Sequence, residues 1–287
     1  MATSRWLPAG FTLAVGLLSW TTAAAQAGVE LHHGAVAEAD FGDATLSARV
    51  DGLRLRAPEF GLLQGRATLG ADYAYTHYDY TGLPTRNRDL HRLALPLQWR
   101  RDGAYLVRLV VAPTIASSSN VFKDLPSRGS SDDLALYGGA TVERATPGGW
   151  GWRAGAGYDD RFGDPRAYPV LALLHRGART DLVLGWPRSE AGWQPHPQWR
   201  LRLEVAPAGQ RWHVVSDERG GAEFFYVSEA WRGTLGADWH PSRHWRLRLE
   251  AGYAFDRRHD LVDDTGARIE RRVASATTYA LALRYGF

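Results

Sequence analysis

The last eleven residues, Thr277–Phe287, read TTYALALRYGF. Tyr279, Leu281, Leu283, Tyr285 and Phe287 fall on one side of an extended chain. Ala280, Ala282, Arg284 and Gly286 fall on the other, because side chains alternate along a strand. Chain ends are normally polar and frayed. An apolar stripe that runs to the final residue therefore predicts a closing strand, held by neighbours and greasy on its outer side.

The same period of two recurs upstream. From residue 61 the chain reads as strand after strand: Leu63 to Tyr75, Leu93 to Trp99, Tyr105 to Val111, Leu134 to Val142, Trp150 to Tyr158 and Tyr168 to Leu174. Leu182–Trp186, Trp199–Val205, Trp231–Trp239 and Trp245–Phe255 follow, and alternation is least clean at RWHVVSD, residues 211–217. Counting that weak segment, about 12 strands are expected, within roughly 10–14. Most are of the length a tilted strand needs to cross a bilayer. Pro96, Pro113 and Pro169 lie inside these runs and predict bulges or strand ends, since each lacks a donor.

The connections sort the architecture. Read backward from the C-terminus, they alternate between long and short: DRRHDLVDDTGARIER then HPSR, SDERGGAEF then APAGQ, PRSEAGWQPHP then RGART. A soluble sandwich has no reason for this alternation, whereas a transmembrane barrel has short turns at one end and longer loops at the other. The fold class expected is all-β, a transmembrane antiparallel up-and-down β-barrel over residues 61–287. The segment 28–60 stays open between a periplasmic extension, a plug in the lumen and extra strands; a further pair would raise the count to about 14.

Composition agrees. The 287 residues include 12 Trp, 12 Tyr and 31 Gly but one Met. Mean hydropathy is −0.33, a value that alternating strands produce when one face meets lipid and the other water. Residues 1–27 carry Arg5, an apolar run from about Ala9 to Trp20, and Ala25-Gln26-Ala27, the pattern of a cleaved signal peptide. With no cysteine there is neither a disulfide framework nor thiolate chemistry. The net charge of +3 is carried by scattered arginines, Lys123 being the only lysine, so no nucleic-acid footprint is present.

These residues carry a resemblance. The signal-like start, the tryptophans at strand ends and the terminal YALALRYGF resemble a Gram-negative outer-membrane β-barrel protein. LALPLQW, YPVLALL and LGWP add a likeness to uncharacterised barrels of this length. The resemblance implies an outer-membrane location and lipid as a partner. It also implies that the barrel-assembly machinery reads Tyr279, Leu281, Leu283, Tyr285 and Phe287 during biogenesis.

Trp99, Trp150, Trp152, Trp199, Trp239 and Trp245 are expected to form an interfacial girdle. The inner faces should carry Arg66, Arg92, Arg108, Arg153, Arg200, Arg202, Arg211, Arg246, Arg248 and Arg284, with Asp72, Glu143, Asp159, Glu204, Asp238, Glu250 and Asp256 as partners. Arg200, Arg202, Arg246, Arg248 and Arg284 are the candidate site residues of a small passive pore that favours anionic solutes. The alternative is a closed barrel packed with arginine–carboxylate ladders that acts through its outer loops, since about 12 strands is fewer than open porins have. A catalytic role is not expected: His213 and Ser216, beside Asp217, should point to opposite faces, and His91, His196 and His259 read as loop residues without partners. DDRFGDPR and DLVDDTG lack calcium-loop spacing, and no cofactor or nucleotide motif appears.

Overall fold

The computed structural model describes residues 27–83, 87–262 and 265–287. The signal-like segment 1–26 therefore lies outside the described residues. Strands run over Gly28–Phe41 (β1), Ala44–Arg56 (β2), Phe60–Leu62 (β3), Gly65–Thr81 (β4), Arg88–Ala94 (β5), Leu97–Arg101 (β6), Leu106–Ser118 (β7), Leu134–Ala145 (β8) and Trp150–Asp159 (β9). They continue with Arg166–Arg176 (β10), Thr180–Trp186 (β11), Ser189–His196 (β12), Trp199–Pro207 (β13), Gln210–Ser216 (β14), Ala222–Trp239 (β15), Trp245–Val262 (β16), Arg268–Val273 (β17) and Ala276–Gly286 (β18). These 18 segments build one antiparallel barrel of 14 strands. In four places a strand is interrupted and both parts pair with the same neighbour: β2 and β3 along β4, β5 and β6 along β7, β13 and β14 along β15, β17 and β18 along β16.

The closing strand is the one the C-terminus predicts. β18 pairs with β16 on one side and β1 on the other, with Gly28 opposite Gly286 and Leu31 opposite Leu283. Tyr279, Leu281, Leu283, Tyr285 and Phe287 are all exposed on the outer face, while Arg284 is buried within the barrel. The outward Leu, Val and aromatic side chains of the other strands, such as Leu69, Leu136, Leu171, Leu203, Leu235 and Leu249, continue this apolar belt. At the end where Gly28 and Gly286 lie, Trp150, Trp152, Trp199, Trp239 and Trp245 are exposed and Trp99 is half-buried. Trp199 and Trp239 stack with centroids 5.9 Å apart. That is the disposition of an interfacial girdle.

Three features correct the sequence reading. Of the alternatives for residues 28–60, the structure has strands: β1 and β2 form a hairpin in the barrel wall, turned by Gly42 at φ +69°. PRSEAGWQPHP is not a long loop but contains β12, which pairs with β11 and β13. WRLRLEV and RWHVVSD, read as two strands, are consecutive parts of one, both paired with β15. The strand count of about 12 therefore becomes 14. Only Pro96 interrupts a strand, separating β5 from β6; Pro113 and Pro169 sit inside continuous strands opposite Leu136 and Ala156.

Wall height is uneven. β4, β15 and β16 run for 17–18 residues, whereas β11 and β12 run for 7 and 8. A line of irregularities crosses the tall wall at one level: a register shift in β1 after Val36, the break between β17 and β18, the bulge between β15 and β16 near Ala230, and the break between β13 and β14. Asp256, at that bulge, adopts the left-handed φ of +47°, which side chains other than glycine seldom take. Bulges bend a strand and sharpen its twist. Above this line the tall wall folds inward.

Candidate functional site

Below the line, strand alternation puts charges on the inner face. Arg54 Nη1 donates to Glu30 Oε1 at 2.7 Å and Arg56 Nη2 to Asp72 Oδ2 at 2.9 Å. Arg248 Nε donates to Asp238 Oδ1 at 2.6 Å, and Arg202 pairs with Glu250. Arg200 reaches Asp181 at 2.7 Å and Glu190 at 3.2 Å. Glu143 receives three guanidiniums: Arg108 at 2.7 Å, Arg153 at 3.0 Å and Arg176 at 2.6 Å. Arg246 and Arg284 face each other across β16 and β18, and Arg284 stands opposite Glu30. Pairs of this kind, enclosed on the inside of a barrel, fix side-chain geometry and hold the wall in register.

Of the residues expected on the inner wall, Asp159 is buried on the inward face at the end of β9, where it grips Arg161 of the β9–β10 loop, and three are elsewhere. Arg66 is exposed near the lower edge, 3.4 Å from Glu59. Asp256 is exposed at the bulge. Arg211 lies over the Phe225 ring, its guanidinium carbon 3.4 Å from the centroid.

Above the line, a buried apolar cluster forms a roof over the inner wall. Phe41, Leu46, Leu90, Tyr226 and Leu261 are fully buried there with Tyr78, Tyr80, Trp212 and Val214. With Ile269 and Val273 of β17 they come from one unbroken arc of wall strands, β14 round to β5, and contacts such as Tyr78–Trp212, 6.1 Å between centroids, join the two ends of that arc. Its centre is aromatic: Tyr78 lies 5.0 Å from Tyr226 and 5.3 Å from His259, centroid to centroid. The Tyr226 hydroxyl bonds both Tyr80 and His259 Nδ1, the latter at 2.7 Å. Burial, with Arg257 nearby, pushes the His259 imidazole down to about 3. Burial beside Tyr80 and Tyr78 raises the Tyr226 phenol far above its usual value.

β14 provides the crossbar. Leaving the wall after Pro207, it touches β7 on the far side in a parallel bridge, His213 opposite Ser117. Asn120 Nδ2 donates to Val215 O at 2.8 Å and Val215 N to Ser118 Oγ at 3.3 Å. Covered on both faces, Trp212, His213 and Val214 are all buried; this is why the alternation fails at RWHVVSD. The β9–β10 loop tucks inward between β5 and the start of β14. Asp160 is fully buried, accepts from Arg92 Nη2 at 3.1 Å and from the Arg211 amide at 3.1 Å. Gly209 N donates to Arg161 O at 2.7 Å. Directly beneath the roof is a cavity of about 80 Å³ bordered by His32, Thr76, Gln210, Arg232 and Arg257.

The structure gives the sequence-flagged histidines partners. His91 lies in β5 rather than a loop, 2.7 Å from both Tyr73 OH and Ser119 Oγ. His259 lies in β16 and His196 ends β12, where its Nδ1 accepts from Gln198 N at 3.3 Å. His213 turns to carboxylates and not to Ser216: Asp133 Oδ1 is 3.0 Å from Nδ1 and Glu223 Oε2 is 3.3 Å from Nε2. In DDRFGDPR, Asp159 and Asp160 are occupied by Arg161 and Arg92. In DLVDDTG, Asp263 and Asp264 lie outside the described residues. The roof itself escaped the sequence reading. Its only advance signal is that Phe41, Tyr78, Tyr80 and Leu261 lie beyond the outward stripe, in stretches read as loop or open segment.

No protein-family model and no curated protein sequence matches the chain. Among solved structures, an outer-membrane channel from Pseudomonas putida F1 is similar with 10% identity and a TM-score of 0.52, over 95% of this chain and 100% of that one. The β-domain of the Bordetella autotransporter BrkA gives 12% identity over 92% and 100% of the two chains, at a TM-score of 0.41. The Pseudomonas putida toluene transporter TodX gives 12% over 91% and 90%, at 0.39. The first of these shares this chain's fold. In fold, this chain is an outer-membrane β-barrel.

Proposed function

We propose that this chain is an outer-membrane channel for small anionic solutes, inserted after export and closed at its outer mouth by the folded-in roof. The observation that carries the reading is the composition of the inner wall, where guanidiniums outnumber carboxylates. Three arginines share Glu143, and Arg246, Arg248 and Arg284 stand together around Asp238 and Glu30. A net positive, low-dielectric passage draws anions and repels cations. The Pseudomonas putida protein of similar fold is described as an outer-membrane channel, which is consistent with this class. Lipid would contact the apolar belt, the roof would lie on the external side, and the assembly machinery would read the Tyr279-to-Phe287 stripe.

The reading is tested by the reversal potential of a roof-opened variant, Trp212→Ala, in a planar bilayer under a salt gradient. Anion preference is expected, weakened when Arg246→Gln and Arg284→Gln are added. A cation-selective or non-selective reversal potential overturns it. A second reading, a closed barrel acting through its outer loops, is favoured by the aromatic seal of the mouth. It stands if the roof variant inserts and remains electrically silent.

A further inference from the structure

Beside the crossbar, three elements bring metal-ligating side chains together. Asp132 comes from the 3-10 turn Ser131–Asp133 between β7 and β8, His213 from β14 and Glu223 from β15. One ligand atom from each of the three lies within 4.8 Å of the others. His213 is only 2% exposed, and its Nε2 makes no hydrogen bond although Glu223 Oε2 is 3.3 Å away. Its other nitrogen faces Asp133 Oδ1 at 3.0 Å. An ionised carboxylate only accepts, so in a neutral His213 the Asp133 contact places the proton on Nδ1 and leaves Nε2, on the Glu223 side, as the nitrogen that can ligate. Asp133 is itself held, accepting from the Ser130 amide at 2.7 Å. Carboxylate behind imidazole, imidazole aimed at further carboxylates, is the arrangement by which proteins orient histidine on a metal.

We propose that Asp132, His213 and Glu223 form a binding site for a zinc-class divalent cation, with Asp133 as the positioning residue behind His213. One imidazole nitrogen and two carboxylates suit zinc and similar borderline ions better than calcium or magnesium, which favour all-oxygen shells. Tetrahedral ligands on zinc stand about 3.4 Å apart. Asp132 and Glu223 are exposed, so their carboxylates can close the remaining distance by rotamer changes. A fourth position is left for water. The ion would join the β7–β8 loop to the β14–β15 hairpin and thereby hold the crossbar down. The inference goes beyond the channel reading and does not depend on conduction.

The test uses the full mature chain without an affinity tag, refolded in detergent and stripped with a chelator. Calorimetric titration with zinc chloride should show one saturable ion per chain. Glu223→Gln with Asp132→Asn should abolish that binding while leaving heat-modifiable gel mobility unchanged, since both side chains are exposed. Asp133→Asn should weaken it by about 10–100-fold. Zinc should slow hydrogen–deuterium exchange across residues 210–216 in the wild type and not in the double variant. Absence of saturable binding, or binding undiminished in the double variant, overturns the site. Unaltered exchange on zinc addition overturns the clasp.

Discussion

Single residues in the roof convert burial into sensitivity. The neutral His259 ring accepts a place among Tyr78, Tyr226 and Phe41 that its cation would not, with Arg257 adding repulsion. Its buried value of about 3 lies below the ordinary value of about 6.5, so the unfolded chain takes up the proton first. The stability this contributes is complete above about pH 6.5 and is lost as pH falls toward about 3. Hydrogen exchange across residues 222–228 should therefore accelerate on acidification beyond its intrinsic pH dependence. His259→Gln, which keeps a polar group near Tyr226 but cannot charge, should flatten that response. Tyr226→Phe leaves Tyr80 and His259 without a shared partner and should cost roughly 1–3 kcal/mol, read as a lower denaturation midpoint of the roof. The outward stripe of the last strand was legible residue by residue, because lipid-facing alternation is strict. His259 and Tyr226 were not, because their partners are distant in sequence and converge only when the tall wall bends.

Segments show where strand logic holds and where it gives way. β1 and β2 alternate as well as any strand, yet their small residues and mixed charges left them open in the sequence. β12 was hidden because Pro195 and Pro197 mark its end and Pro187 its start, so that a short strand between prolines reads as loop. β14 was misassigned because both its faces are covered. The β9–β10 loop depends on close approach: a Cβ on Gly209 would lie 2.4 Å from Gly163 N and 2.8 Å from Arg161 O. Gly209→Val should therefore push residues 160–164 out of the lumen, detected as new protease sensitivity in that loop. Arg92→Ala should act on the same loop from the opposite wall. It leaves the buried Asp160 without its guanidinium, a loss of about 3–5 kcal/mol for a buried pair of this kind.

The whole molecule is a barrel with two storeys. The lower is a 14-strand wall with an apolar exterior and a charged interior. The upper is a set of strand extensions rolled into an aromatic seal. Length, period and terminal strand made the first legible from sequence. The second depends on bulges that redirect strands, and no periodicity announces those. Removing Tyr279–Phe287 would leave β1 and β16 with open edges, and the heat-modifiable folded band should vanish. The claim that joins the two storeys is that the roof closes a positively lined passage. Single-channel recording of the wild type beside Trp212→Ala tests it directly. The variant removes a fully packed ring worth about 3–5 kcal/mol from the seal and leaves the lower wall intact. The account predicts a wild type that is mostly silent and a variant with frequent, discrete openings. A wild type with the same steady conductance as the variant would contradict it.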